Sequence, residues 1–232
     1  MKKYWVWIAL AAMLLCAAVG LADSEGVIVQ SSCNILQSGE YYLVYTFAQV
    51  HNASQETICL DEGRMILNNG DVIAADKRVS QMWPYYLAPG EDGYLFDVIE
   101  FHPTEDGVLR VPQLTGLVYD NTYMTIDSQY GGTMLPADAF VNTTSRGATV
   151  HCELHNDTEG EAYDVTLAIG VYTDAGQLIY ADGKTLSDIG IPAGGRVLVR
   201  FDVDPLLVNQ WVSYGASPAR VVATAMVRGG ED

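Results

Sequence analysis

Apolar and polar residues alternate with period two along much of the chain, most clearly in its second half. Residues 164–171 place valine, leucine or isoleucine at every second position, and residues 196–203 repeat this alternation. Period-two patterning predicts β-strands with one buried face and one face mostly in water. A glycine-containing turn at 174–176 follows the first of these strands, and another at 192–195 precedes the second. No segment shows a convincing amphipathic helical pattern, so an all-β chain is predicted.

The first half repeats the order of these features at an offset of about 105 residues, and such internal self-similarity indicates a duplicated unit. Four features match in order: Val50-His51-Asn52 with Leu154-His155-Asn156, residues 69–76 with 175–182, Pro89-Gly90 and Phe96-Asp97-Val98 with Ala193-Gly194 and Phe201-Asp202-Val203, and residues 117–119 with 221–223. Each unit has about 100 residues and some seven short strands. Two tandem immunoglobulin-like β-sandwich domains are therefore expected.

The second half resembles the FxLYD domains, which are immunoglobulin-like modules of bacterial and archaeal exported proteins. The resemblance lies in the strand that ends at His155-Asn156, in residues 171–176, and in the Pro192-Ala193-Gly194 turn that leads to Phe201. The first half departs from the pattern at residues 65–70. The resemblance implies an extracytoplasmic, non-catalytic module.

The N-terminus has the sequence pattern of a secretory signal peptide. Lys2 and Lys3 precede an uncharged run from Tyr4 to Ala22, and small residues end that run. We expect residues 1–22 to be a signal peptide, residues 23–128 to form the first sandwich, and residues 129–232 to form the second, with the boundary near Ser128. Two alternatives for the first segment stay open: retention as a membrane anchor, and lipidation at Cys16.

The charge of the chain narrows the choice of partners. Removal of residues 1–22 deletes two lysines and no acidic residue, which takes the formal net charge from −17 to −19. Such a surface repels nucleic acid and anionic lipid headgroups. We therefore expect an extracytoplasmic, secreted or envelope-associated protein that contacts a membrane only through residues 4–22, if these are retained.

Cleavage after Ala22 would leave an odd number of cysteines, namely Cys33, Cys59 and Cys152. This does not imply a disulfide framework, because an even set is the usual signature. Cys33 and Cys59 could pair across the first domain. The sequence cannot fix the geometry of that pairing, so both the free and the bonded state remain open.

The mature chain contains no recognisable catalytic, metal or cofactor motif. Its four histidines lie outside any known catalytic pattern. His151-Cys152-x-x-His155 resembles a metal site, but a strand would point Cys152 away from both histidines, so a core cysteine beside two exposed histidines is the simpler interpretation. The acidic clusters lack the spacing of a calcium loop. We expect no cofactor, no bound metal and no enzymatic activity.

The most suggestive surface feature is an aromatic group formed by Trp83, Tyr85, Tyr86 and Tyr94. Aromatic faces stack on sugars and peptides, but sandwiches also need aromatic cores. Trp83 has no counterpart in the second half, so it is either a domain-specific plug or a ligand platform. Two functions follow as hypotheses: a structural or protein-interaction module at the cell surface, and a module that binds a carbohydrate or peptide.

Overall fold

The computed structural model describes residues 26–69, 72–79, 81–101, 114–125, 132–144 and 147–227. The predicted signal segment, residues 1–22, and the predicted domain boundary at Ser128 lie outside these ranges. Within them, no helix has both the length and the apolar character needed to cross a membrane.

Fifteen strands and one helix make up the described residues, and the predicted all-β fold class is confirmed. In chain order they are β1 (Gly26–Ser38), β2 (Tyr41–Asn52), β3 (Ile58–Asn69), β4 (Val72–Arg78), β5 (Gln81–Trp83), β6 (Tyr86–Leu87), β7 (Asp92–Phe101), β8 (Leu114–Thr125), β9 (Thr133–Leu135), β10 (Ala137–Thr144), β11 (Gly147–His155), β12 (Val165–Thr173), β13 (Leu178–Leu186), β14 (Arg196–Val203), α1 (Pro205–Tyr214) and β15 (Pro218–Val227).

The strands form four antiparallel sheets, two in each half of the chain. Sheet I has the order β1-β2-β7-β5, and sheet II has the order β4-β3-β6, with β8 also paired to β3. Sheet III has the order β13-β12-β15-β9, and sheet IV has the order β10-β11-β14. Sheets I and II enclose one apolar core, and sheets III and IV enclose another.

The strand pairing of the first half recurs in the second half with a constant displacement. His51 of β2 lies opposite Asp92 of β7. His155 of β11 lies opposite Arg196 of β14, and both residues come 104 positions later than their counterparts. The pairing of β3 with β8 recurs between β12 and β15 with the same displacement.

A β-bulge recurs at the same place in the two halves. The ladder between β3 and β4 shifts register between Leu67 and Asn68. The ladder between β12 and β13 shifts register between Val171 and Tyr172, again 104 residues later. A β-bulge bends its strand locally, so a bulge at equivalent positions bends the two hairpins in the same way.

The register corrects one of the sequence matches. A displacement of 104 places Asp97, not Phe96, at the position equivalent to Phe201. The predicted match of Phe96-Asp97-Val98 with Phe201-Asp202-Val203 is therefore a slip by one residue, which turns every side chain to the opposite face of a strand. Asp97 is accordingly buried, at a position where the second half has a core aromatic residue.

Sheet I is buried on both faces, because sheet III packs against the face that points away from sheet II. In β2, Val44, Ala48 and Val50 belong to the core of the first half, whereas Tyr45 and Phe47 pack with residues of the second half. The expectation of one wet face per strand is confirmed for β14, where burial alternates, but is wrong for β12, whose outer face sheet I covers. The layers thus run II, I, III, IV.

Within the part of the chain that the structure describes lies a helix, α1, that the sequence pattern did not reveal. Asp204 caps the N-terminus of α1 by accepting a hydrogen bond from the backbone N–H of Leu206, and Pro205 follows it in the first turn. Gly215 ends the helix in a left-handed conformation with φ of 67°. The helix has only ten residues, too few for its periodicity to stand out among strands.

Candidate functional site

The outer face of sheet I and the facing side of sheet III form an aromatic contact that joins the two halves, called here the seam. Its large side chains are Tyr45, Phe47, Trp83, Tyr94, Tyr172 and Tyr180. Tyr94 is fully buried, and its hydroxyl lies 2.9 Å from the hydroxyl of Tyr172. Gly170 lies directly beneath the Tyr94 ring, where any added Cβ would overlap that ring. The glycine is therefore what lets the two sheets approach.

Trp83 makes the second close approach across the seam. It is half-buried and packs against the apolar cluster of the second half. A Cβ at Gly183 of β13 would overlap the indole ring. Trp83 thus fills a recess over Gly183.

Asp204 links the seam to helix α1. One carboxylate oxygen caps the helix, and the other accepts a hydrogen bond of 2.5 Å from the hydroxyl of Tyr45. Tyr45 belongs to the first half and Asp204 to the second half, and the two residues are 159 positions apart. Because the same carboxylate caps α1 and accepts the hydrogen bond from Tyr45, the N-terminus of the helix is held against the first half.

Two glutamines add polar contacts at the margins of the seam. The side-chain oxygen of Gln30 accepts a hydrogen bond from the backbone N–H of Leu178 at 2.9 Å. The Gln210 amide of α1 donates to the carbonyl of Ile35 at 3.1 Å. These directional bonds fix the register of one half against the other, which apolar contact alone does not do.

The seam keeps its tyrosines neutral. Burial raises the pKa of Tyr94 well above its ordinary value, and the neighbouring Tyr172 adds to this effect. Burial also raises the pKa of Tyr172 to about 12. The pKa of Tyr180 is raised by burial and by the charge of Asp182, to which its hydroxyl donates a hydrogen bond. These hydroxyls act as hydrogen-bond donors and acceptors, not as bases, at neutral pH.

A buried asparagine organises the same turn in each half. The Asn52 amide donates to the carbonyls of Glu56 and Leu87, both at 2.8 Å, and its oxygen accepts from the N–H and hydroxyl of Ser54. Asn156 makes the same four bonds with the residues that follow it: to the carbonyls of Gly160 and Ile191, and from the N–H and hydroxyl of Thr158. The hydrogen-bonding capacity of both amides is thus filled inside the turn.

The structure separates the four aromatic residues predicted as a ligand platform. Tyr94 lies in the seam with no exposed surface, and Trp83 is half-buried over Gly183. Tyr85 is 38% exposed and meets Tyr86 edge to face, with ring centroids 5.6 Å apart. Only Tyr85 and Tyr86 are thus brought together with part of their surface in water.

The cysteines and histidines of interest occupy different layers. Cys33 is half-buried on β1 of sheet I, and Cys59 is buried on β3 of sheet II. Their pairing stays a prediction. Cys152 is fully buried in the second core, and burial raises the pKa of its thiol to about 12. His151 instead stacks on Phe140. Among the residues that the structure describes, no three histidine, cysteine, aspartate or glutamate side chains form a group that could hold a metal ion.

The outer face of sheet IV is the counterpart of the face that sheet I presents to the seam, but it is mostly polar, with Phe140 and Leu198 as exposed apolar side chains. At a displacement of 104, Thr149, His151, Glu153 and Arg200 stand where sheet I has Tyr45, Phe47, Gln49 and Phe96. Arg196 pairs with Glu153 at 2.6 Å on this face. The second half thus ends the stack with a charged surface, as terminal units of layered proteins do.

The sequence indicated only some of the residues that form the seam and the asparagine turns. The contacts of Tyr172 and Asp204 across the seam carried no local signal, because their partners lie 78 and 159 residues away. The asparagines did carry one: the pattern Asn-x-Ser/Thr occurs at Asn52 and again at Asn156, after a histidine in both cases.

No protein-family model matches the chain, and no curated protein is similar to it. Among solved structures, 12% identity is shared with a β-glucuronidase from glycoside hydrolase family 2, over 82% of this chain and 20% of that chain, with a TM-score of 0.21. The secreted serine protease VesC from Vibrio cholerae is also 12% identical, over 82% of this chain and 44% of its own, with a TM-score of 0.20. The chain therefore spans less than half the length of either protein.

Proposed function

We propose that this chain is an exported, non-catalytic protein of two tandem immunoglobulin-like sandwiches that serves as a structural or protein-interaction module at the cell surface. The observation that carries the proposal is the seam. The aromatic side chains of the first half pack against the second half. In this proposal the two units therefore form one stiff body and do not enclose a cleft between them. A stiff pair of modules holds its outer surfaces at a fixed spacing.

The shared pairing and the repeated asparagine turn support tandem copies of one unit. Four hydrogen bonds, a β-bulge and two strand ladders recur with a displacement of 104 residues. The FxLYD resemblance of the second half and the segment from Lys2 to Ala22 support export. The formal charge of −17 supports a partner that is neither nucleic acid nor an anionic membrane.

Export can be tested with a reporter enzyme that is active only in an oxidising compartment. Alkaline phosphatase fused after Asp232 should be active in a bacterial host when residues 1–22 are present. The matched control lacks residues 1–22 and should be inactive. Equal activity of the two fusions would contradict export by this segment.

The expectation that the protein binds no metal can be tested on purified residues 23–232. We expect the melting temperature to stay the same in excess calcium and in excess chelator, because the acidic residues serve solubility. A rise in melting temperature with calcium would contradict this expectation, since a ligand that binds the folded state stabilises it.

A second function is favoured by the partial exposure of Tyr85 and its contact with Tyr86. Here the module would bind a glycan or an extended peptide by stacking. A glycan and peptide array with residues 23–232 should then give a hit that Tyr85→Ala loses and that Tyr163→Ala keeps. Tyr163 is a matched control because it is also an exposed tyrosine, at 54%. A hit that survives Tyr85→Ala would contradict this stacking site.

A further inference from the structure

The two halves differ at one sheet edge. In sheet I, the outer edge of β7 pairs with β5, where Gln81 lies opposite Phe96 and Trp83 lies opposite Tyr94. In sheet IV, the equivalent strand β14 pairs with β11 on one side, and no strand within the described parts of the chain pairs with its other side. Among the described residues, the edge that β5 covers in the first half thus has no paired strand in the second half.

The backbone of β14 shows which groups this edge presents. The ammonium of Lys184 donates a hydrogen bond to the carbonyl of Arg200 at 2.5 Å, so this carbonyl points away from β11. In an antiparallel strand the N–H and C=O of one residue point to the same side, and every second residue shares that side. Leu198 therefore points its backbone groups to the same edge as Arg200. These two residues are the counterparts of Tyr94 and Phe96, which pair with β5.

The exposed charged side chains of β14 form ion pairs within the chain, Arg200 with Asp202 at 2.5 Å and Arg196 with Glu153 at 2.6 Å. A second copy of β14 would exchange these exposed pairs for ion pairs between two strands. Arg196, Leu198, Arg200 and Asp202 share the outer face, and Leu198 is 60% exposed. When two such strands run antiparallel about Val199, Arg196 of one lies opposite Asp202 of the other, twice. In the same register Leu198 lies opposite Arg200, and the buried Val199 side chains meet. Opposite charges in directly facing positions stabilise a strand pair.

The neighbouring register is disfavoured by the same charges. A shift of the two strands to a centre at Arg200 places one Arg200 directly opposite the other, and like charges in facing positions destabilise a strand pair. A shift by a single residue would set inner-face residues opposite outer-face residues. The charge pattern of β14 therefore selects one antiparallel alignment.

We propose that the free edge of β14 pairs with β14 of a second copy of this chain, centred on Val199, so that two three-stranded sheets IV join into one sheet of six strands in a symmetric dimer. Lys184 covers the Arg200 carbonyl in the single chain and releases it when the second copy pairs. The dimer rests on the comparison of β14 with β7, and it does not depend on export or on ligand binding.

Charge reversal tests the dimer. Sedimentation velocity of residues 23–232 should show a monomer–dimer equilibrium. Arg196→Asp and Asp202→Arg should each raise the dissociation constant by roughly ten-fold or more, because each places two like-charged pairs across the contact. The double variant Arg196→Asp/Asp202→Arg should restore the wild-type value. Residues 196 and 202 are about 20 Å apart on one strand, so only contact between chains can produce this rescue.

Mixing the two single variants gives a sharper readout. Each variant alone has two repulsive pairs, but a mixed dimer of Arg196→Asp with Asp202→Arg has two attractive pairs. Native mass spectrometry of chains with different mass tags should therefore show mostly mixed dimers. A chain that stays monomeric up to about 1 mM would overturn the proposal. So would a dimer that forms equally well from all variants, because its contact would lie elsewhere.

Discussion

At the scale of single residues, Asn52 and Asn156 are fully buried polar side chains whose hydrogen-bonding groups are all satisfied within the protein. Each donates one hydrogen bond to a carbonyl of the turn that follows it and one to a carbonyl 35 residues later in the chain. A buried carbonyl that loses its donor costs free energy because water cannot replace the bond. These turns are therefore held together from inside by one amide each.

Replacement of Asn156 by alanine should lower the free energy of unfolding by about 1 to 3 kcal/mol, because the buried Ile191 carbonyl loses one of its two donors and the backbone N–H of Thr158 loses its acceptor. Urea denaturation of residues 23–232 measures this change. Asn142→Ala on the exposed part of β10 is the control and should change stability by less than about 0.5 kcal/mol. Equal midpoints for the two variants would show that the amide does not hold the turn.

The hydroxyl pair of Tyr94 and Tyr172 gives a second prediction at this scale. Tyr94→Phe should cost about 1 to 2 kcal/mol, because Tyr172 keeps a buried hydroxyl without that partner. The double variant Tyr94→Phe/Tyr172→Phe should cost less than the sum of the two single variants. A double-mutant cycle in urea measures the coupling, and additive effects would contradict a bond between the two hydroxyls.

At the scale of elements, strand alternation could be read from the sequence wherever one face meets water. The alternation correctly predicted the buried and exposed faces of β14, but it could not show that the outer faces of β2 and β12 are covered by another sheet. Helix α1 was missed because ten residues give too little periodicity to stand out among strands, although Asp204-Pro205 and Gly215 are local signals for its start and end. The second partner of Asp204, Tyr45, lies 159 residues away, and no local pattern encodes that contact.

The candidate site was predictable only in part for the same reason. The sequence singled out Trp83 as a plug or a platform, and its recess over Gly183 depends on a glycine 100 residues away. Tyr94 was grouped with Tyr85 and Tyr86 because they are near in sequence. Strand geometry turns Tyr94 into the seam and leaves Tyr85 at the surface.

Asp204 allows a prediction for the helix. Asp204→Ala should cost about 1 to 3 kcal/mol, because α1 loses its N-cap and the Tyr45 hydroxyl loses its acceptor. Asp204→Asn is the matched variant, since asparagine also caps helices, and it should cost less. Thermal denaturation followed by circular dichroism measures both. A loss as large for asparagine as for alanine would mean that the charge, not the cap, is what matters.

At the scale of the whole molecule, the seam decides whether the halves move as one body. Its closest approaches occur over Gly170 and Gly183, where there is no room for a methyl group. Gly170→Ala should weaken the docking by about 1 to 3 kcal/mol, because the added carbon overlaps Tyr94. Small-angle scattering and calorimetry should then report a longer particle and two separate transitions. Gly160→Ala is the control, because its added carbon meets nothing within 4 Å.

The neutral tyrosines of the seam also set its response to pH. A tyrosine whose folded pKa is raised contributes stability that is present below its unfolded value of 10 and is lost as the pH rises through the folded value, which is about 12 for Tyr172. Between pH 10 and 12 the free energy of unfolding should therefore fall by about 1.4 kcal/mol per pH unit for each such tyrosine. Tyr94→Phe/Tyr172→Phe should make this slope shallower, and an unchanged slope would contradict burial of the two hydroxyls.

The double burial of sheet I has a consequence for how the protein is made. The first half ends near Thr125, and the β12 and β13 strands that cover Tyr45, Phe47 and Tyr94 are completed about 50 to 60 residues later. This is a delay of roughly 2 to 12 seconds at ordinary elongation rates. During that interval the nascent chain displays an aromatic patch that the finished protein hides. Holdase chaperones should therefore bind a translation product stalled near residue 150 more strongly than the completed polypeptide.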